Sequence, residues 1–281
     1  MLSNIFNRML IVVTINDKSW GDIMRLIHFL TWNTQLFEMG NILRKNQEVK
    51  SINMNVFDEI IKKVKDFLNS KYEAIVILQE IPYKSNIDFK EHELFKKFNF
   101  AFPDKMYKKI YNISSESQIK MTVVLSKITN DNPIILPNNN CVNNNKCVSF
   151  SIVDLNLLIL GVHSHNAKEL YDSLSKYQSP DMMIGDFNSG DYNKRNEDSD
   201  FKNNKNYYKK LVNGYTDICN GNNTRKIIFQ NGFNYETPID HVLLKNKSEL
   251  THYKCELVKI DRSVDSLSDH YPIYFTLKLN D

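Results

Sequence analysis

The stretch Met182-Met183-Ile184-Gly185-Asp186-Phe187-Asn188 sets an acid and an amide directly after a short apolar run. A continuous apolar run suits a strand covered on both faces. The Gly, Asp and Asn that follow are turn formers, and alone they would mean only a tight turn. The arrangement recurs, however. Arg25–Trp32 reads as a buried strand closing on Asn33, and Ala74–Leu78 as a central strand closing on Gln79-Glu80. Leu157–Val162 runs into His163, Ile239-Asp240-His241 opens a late strand, and Ser268-Asp269-His270 precedes the last one, Ile273–Leu279. Each has a bland reading as a strand-end cap, a solvated loop acid or a rim histidine. Together they place carboxylates, amides and imidazoles at one rim of the sheets. Leaving water there is costly unless such groups pair or hold a metal.

The rest of the chain frames these strands. Apolar residues at 56, 57, 60, 61, 64, 67 and 68 follow a helical period, and a second helix is expected from Ala167 to about Tyr177. Met121–Leu125 and Tyr253–Ile260 read as strands. Cys147–Val153 and Leu157–Val162 form a hairpin about Asp154-Leu155-Asn156. Asparagine-rich segments at 138–145 and 193–206 look like exposed loops. Strands first alternate with helices and later cluster as antiparallel pairs. That order implies an α/β chain with two sheets face to face and helices outside.

Composition narrows the class without choosing a substrate. At 281 residues, 42% hydrophobic and 25% charged, the chain is an ordinary globular protein. A net charge of +3 neither demands nor forbids a polyanionic partner. The cysteines at 141, 147, 219 and 255 form no CxxC pair and read as reduced thiols of a cytoplasmic protein. Arg8 precedes only a short apolar run, Met9–Val13, and no stretch nears the ~20 apolar residues of a membrane span.

Asp, Glu, Asn and His at a common rim suit hydrolysis of a phosphate ester, which needs an activated water and charge stabilisation at phosphorus. Mg²⁺ takes one or two carboxylates and leaves room for substrate phosphate. Leu30-Thr31-Trp32-Asn33, Leu78-Gln79-Glu80, Gly161-Val162-His163-Ser164, Ile184-Gly185-Asp186-Phe187-Asn188, Ile239-Asp240-His241-Val242 and Ser268-Asp269-His270-Tyr271-Pro272 resemble, in order, the motifs of the deoxyribonuclease-I-like, or endonuclease/exonuclease/phosphatase, superfamily.

That resemblance implies a four-layer α/β sandwich, two mixed sheets between helices, with the site at one end. It implies a catalytic domain over 24–281 behind an N-terminal extension, 1–23, in which Leu10–Ile15 could add an edge strand. By motif, Glu80 would be the main Mg²⁺ ligand (or Mn²⁺), helped by Asn33 and Asp269. Asp186 and Asn188 would orient the nucleophile and stabilise the phosphorane. His270 would be the general base oriented by Asp240, and His163 would meet a phosphate oxygen or assist the leaving group. Asn33, Asn188 and Lys146 would touch substrate. A Tyr or Arg that contacts phosphate in family nucleases has no equivalent in Ser117-Gln118-Ile119-Lys120.

The leading substrate is nucleic acid, with Lys105, Lys108, Lys109, Tyr107 and Tyr111 as a second candidate contact for its backbone. A phospholipid or inositol-phosphate hydrolase is the alternative, and a non-catalytic binding module of the same fold comes third. The chain is expected to act as a monomer without stable membrane insertion.

Overall fold

The computed structural model describes residues 25–36, 53–82, 91–103, 106–112, 120–190, 199–228, 234–246, 252–264 and 266–279. The expected extension 1–23 and Lys105 lie outside them. In chain order the elements are β1 (Arg25–Asn33), α1 (Met54–Ser70), β2 (Ala74–Pro82), α2 (Glu93–Ala101), β3 (Tyr107–Tyr111), β4 (Lys120–Thr129), β5 (Asn132–Pro133) and β6 (Ile135–Pro137). Then follow β7 (Cys147–Ile152), β8 (Leu157–His163), α3 (Ala167–Leu174), β9 (Met182–Asp186), α4 (Ser199–Val212), β10 (Tyr215–Asp217) and β11 (Arg225–Ile228). The last are β12 (Asn234–Thr237), β13 (Asp240–Lys245), β14 (Tyr253–Ile260) and β15 (Ile273–Leu279).

One sheet runs β14-β15-β1-β2-β4-β3, with β5 paired to β4, and the other runs β10-β13-β9-β8-β7-β6. Each is mixed, because β1–β2 and β8–β9 are parallel and the other pairs antiparallel. Alternation along the strands builds the layers. In β2, Ile75 and Ile77 face the core between the sheets, with Phe29, Val148, Ile159 and Ile184. Ala74, Val76 and Leu78 face the opposite way, onto Phe57, Ile60 and Val64 of α1 and Leu94 and Phe98 of α2. On the second sheet Leu160, Val162 and Met183 meet Leu170 of α3 and Leu211 of α4. The result is a four-layer α/β/β/α sandwich. A continuous apolar run is what such a doubly covered strand requires. Asn53 starts α1 by accepting from the backbone N–H groups of Asn55 and Val56, as an N-cap does.

The structure corrects several local expectations. Of the 193–206 segment expected as a loop, 193–198 lie outside the described residues and 199–206 belong to α4; Tyr207 of that helix packs on Tyr171 of α3, a tertiary contact that a polar sequence conceals. The helix expected to reach Tyr177 stops at Leu174. The 138–145 segment is not simply exposed, since Cys141 and Val142 are buried and the Asn143 side chain donates to the Ser149 hydroxyl and accepts from the Ser149 backbone N–H. Tyr107–Tyr111 is the edge strand β3: Tyr107 is buried against Asn69, and Lys109 is held by Asn99. The four cysteines are free thiols. Among the described residues no helix is long and apolar enough to cross a membrane.

Candidate active site

Strand pairing decides which polar ends meet. Parallel β1 and β2 put Asn33 opposite Gln79, and parallel β8 and β9 put His163 opposite Asp186. Antiparallel β13 adds Asp240 on the other side of Asp186. The two sheets touch through these ends, where Asn33 Nδ2 donates to Asp186 Oδ2 over 2.8 Å. Ser268 Oγ donates to the Asn33 carbonyl at 2.7 Å, and the Trp32 indole donates to the His270 carbonyl at 2.9 Å, latching the 268–270 segment beneath them.

Glu80 reaches the site through a bulge. Pairing of β2 with β4 shifts between Leu78 and Ile81, and Glu80 adopts φ +57°, a conformation few non-glycine residues take. The extra residue turns the carboxylate inward. There Oε2 accepts from Lys120 Nζ at 2.8 Å, and Oε1 lies 3.3 Å from His163 Nε2 and 3.4 Å from Asn33 Nδ2. Burial would raise its pKa, yet His163 and Lys120 hold it at about 2.

Asp240 clasps His270 with both oxygens, at 3.0 and 2.9 Å from Nδ1. The other ring nitrogen, Nε2, lies 3.9 Å from Asp186 Oδ2 and 3.5 Å from Asp269 Oδ1. Burial would lower the imidazole's pKa, but the Asp240 and Asp186 carboxylates raise it to about 9. Burial pushes Asp186 up from the ordinary aspartate value, against the pull of His270. Asp186 also accepts from the Asn188 backbone at 2.7 Å, and Asn188 Nδ2 bonds both Asp186 and the Ser164 carbonyl. His241, beside Asp240, serves a different end: its ring nitrogens bond Asp217 and the Ser189 carbonyl, tying down the loop after Asn188.

Gly185 is what lets the strands close this tightly. Its φ is +134°, and a Cβ there would collide with the Val162 carbonyl and sit 2.7 Å from Gln79 Nε2. Gly185→Ala is expected to cost about 3 kcal/mol or more, from backbone strain plus overpacking. The midpoint of urea denaturation measures it, and a parent-like midpoint would refute this account.

The cleft over these groups has a volume of 380 Å³. Its walls carry Glu80, His163, Asp186, Asn188 and His270, together with Lys120, Lys146 and Arg225. Lys146, expected to touch substrate, lines the cleft, and its partly exposed ammonium pairs with Glu169 at 2.9 Å. Lys108, Lys109, Tyr107 and Tyr111 line a separate 870 Å³ cleft, so the basic–aromatic cluster is not part of this site. Sequence reasoning overlooked Arg225, which bonds Asp269 at 2.8 Å, and the ion pair of Lys120 with Glu80. Nothing in either local sequence marks it: the partners stand 44 and 40 residues away.

No family model matches the sequence, and neither does any curated protein. Solved structures do match in three dimensions. An endonuclease/exonuclease/phosphatase family protein from Leptotrichia buccalis is 15% identical, with a TM-score of 0.54 over 89% of this chain and 99% of that one. An AP endonuclease from Archaeoglobus fulgidus is 12% identical, with a TM-score of 0.54 over 89% and 98% of the two chains. A 3'-5' exonuclease from Neisseria meningitidis is 13% identical, with a TM-score of 0.52 over 91% and 100%. The fold is the endonuclease/exonuclease/phosphatase fold.

At such identities the likeness concerns architecture, so the chemistry rests on this chain's own residues. Within this endonuclease/exonuclease/phosphatase fold two groups of donors could hold a cation. Asp186, Asp240 and His270 bring donor atoms within 4.8 Å of one another, but both Asp240 oxygens already face the His270 ring. Glu80 is the better anchor, because its carboxylate is ionised; a bound cation would share or replace the Lys120 ammonium now 2.8 Å from Oε2. Asp269 Oδ1 is buried and, among the described residues, without a hydrogen-bond partner, as a ligand atom in waiting would be. Asn33 turns its N–H toward Glu80, so it would offer oxygen only after a half-turn of the amide.

Proposed function

We propose that the chain is a Mg²⁺-dependent phosphodiester hydrolase acting on nucleic acid. What carries this reading is the Asp240–His270 pair, with His270 Nε2 aimed toward Asp186 in a cleft lined by Lys120, Lys146 and Arg225. Buried acids and imidazoles below and cations around them suit an anionic ester attacked by water.

In this reading Asp240 accepts from Nδ1 of neutral His270, which leaves Nε2 unprotonated to take a proton from the attacking water. Asp240 thereby fixes the tautomer and stabilises the imidazolium that forms. Asp186 and Asn188 orient the nucleophile, and Asn188 steadies charge on the phosphorane. His163 hydrogen-bonds a phosphate oxygen or assists departure of the leaving group. Glu80, Asp269 and Asn33 would hold Mg²⁺, or Mn²⁺ in its place. Bound there, the cation would polarise the phosphoryl group and neutralise developing charge.

The test is a panel of DNA, RNA, sphingomyelin and inositol phosphates, each with Mg²⁺, Mn²⁺ or EDTA. DNA or RNA should be cut with either metal and spared in EDTA. Cleavage that persists in chelator would remove the metal from the mechanism. Turnover confined to sphingomyelin or inositol phosphates would transfer the site to that substrate class. A folded chain inert toward the whole panel would make it a binding module.

A further inference from the structure

We propose that Arg225 is a substrate-binding residue of this cleft, clamping a phosphate through its two terminal nitrogens while Asp269 braces the guanidinium from behind. The inference rests on reading the cleft as a phosphoester-hydrolysing site, and it adds a residue that none of the sequence motifs contains.

Arg225 is held at one of its three guanidinium nitrogens. Its Nε donates to Asp269 Oδ2 at 2.8 Å. The backbone on either side is pinned to the segment that carries His270: the Lys226 amide bonds the Asp269 carbonyl, and the Tyr271 amide bonds the Thr224 carbonyl, each at 2.7 Å. Arg225 is therefore fixed relative to the proposed base. A guanidinium presents five donors in a rigid fork, and Nε uses one. Among the described residues, Nη1 and Nη2 make no hydrogen bond to protein, and the side chain lines the same 380 Å³ cleft as Glu80, Asp186, Asn188 and His270. The two lysines of that cleft are engaged with Glu80 and Glu169. A planar donor pair over a catalytic cleft matches two oxygens of a phosphoryl group, which arginine binds in bidentate fashion.

A purely structural role, bracing Asp269, is the rival, and binding of inorganic phosphate separates the two. Equilibrium dialysis of radiolabelled phosphate, with Mg²⁺ present, would compare the full chain with Arg225→Ala and Arg225→Lys. Loss of two charge-assisted bonds should weaken phosphate at least about tenfold in Arg225→Ala. Arg225→Lys should bind about threefold weaker or worse, because one ammonium cannot serve Asp269 and a bidentate anion together. Parent-like phosphate affinity in Arg225→Ala would overturn the proposal, as would a parent chain that binds no phosphate. Should Arg225→Ala fail to fold, unchanged affinity in Arg225→Lys would overturn it equally. If the parent hydrolyses nothing but loses phosphate on substitution, the hydrolase reading fails while the phosphate clamp at Arg225 stands.

Discussion

Glu80→Gln is expected to lower hydrolysis at least about a thousandfold while leaving the chain folded, since metal-borne charge stabilisation amounts to several kcal/mol. Glutamine matches the shape of the side chain, so the bulge at φ +57° need not move. What it lacks is the charge that draws Lys120 at 2.8 Å and that would anchor the cation. The change has a stability signature of its own. Because the folded pKa is held down at about 2 from the ordinary 4.5, the ionised carboxylate stabilises the fold above pH ~4.5. That contribution disappears as pH falls through about 2. The variant should therefore lose no more than roughly 3 kcal/mol at neutral pH and converge on the parent in strong acid. A domain stable by roughly 5–15 kcal/mol survives such a loss. Denaturation curves at pH 7 and pH 2, beside rates with titrated Mg²⁺, check both halves. A variant that stays folded and retains most of its rate would remove Glu80 from the metal site.

The second large effect concerns the pair beneath the cleft. His270→Ala should cost about 10²–10⁴-fold in rate, the usual worth of general-base catalysis. Asp240→Asn should approach that loss, since the amide keeps the shape but not the charge that fixes the tautomer. Combined, the two should cost little more than the worse single change, as groups acting in one unit do. The pH profile carries the sign. A base must be neutral, and the carboxylates hold His270 above its usual 6.5, at about 9. The parent rate should accordingly climb with pH to a midpoint between 6.5 and about 9. Without the Asp240 charge the imidazole loses its proton more readily, so Asp240→Asn should shift that midpoint to lower pH. Losses that multiply in full, or a midpoint that stays put, would show that the residues do not act as a pair.

Much of this architecture was legible along the chain. The apolar run of β2 identified a strand covered on both faces, and the helical period between Val56 and Leu68 identified α1. The polar residues closing β1, β8 and β9, with Gln79-Glu80 at the bulge of β2, are the ones that meet at the rim. These features are local, because burial leaves its periodicity in consecutive residues. Other features were not legible. The Asn- and Lys-rich sequence of α4 hides a helix whose apolar contacts, such as Tyr207 on Tyr171, exist only once α3 lies alongside. The pairing of Lys146 with Glu169 at 2.9 Å joins residues 23 apart in the chain. The inward turn of Glu80 depends on a register shift against β4, and Arg225 enters only because β11 is bonded to the segment at Asp269 that precedes β15. Residue order fixes which side chains end a buried strand, since that follows from the alternation of neighbours. Which of those ends touch, and which distant cation faces them, follows from the pairing and packing of two sheets, where contacts span the chain and leave no local trace.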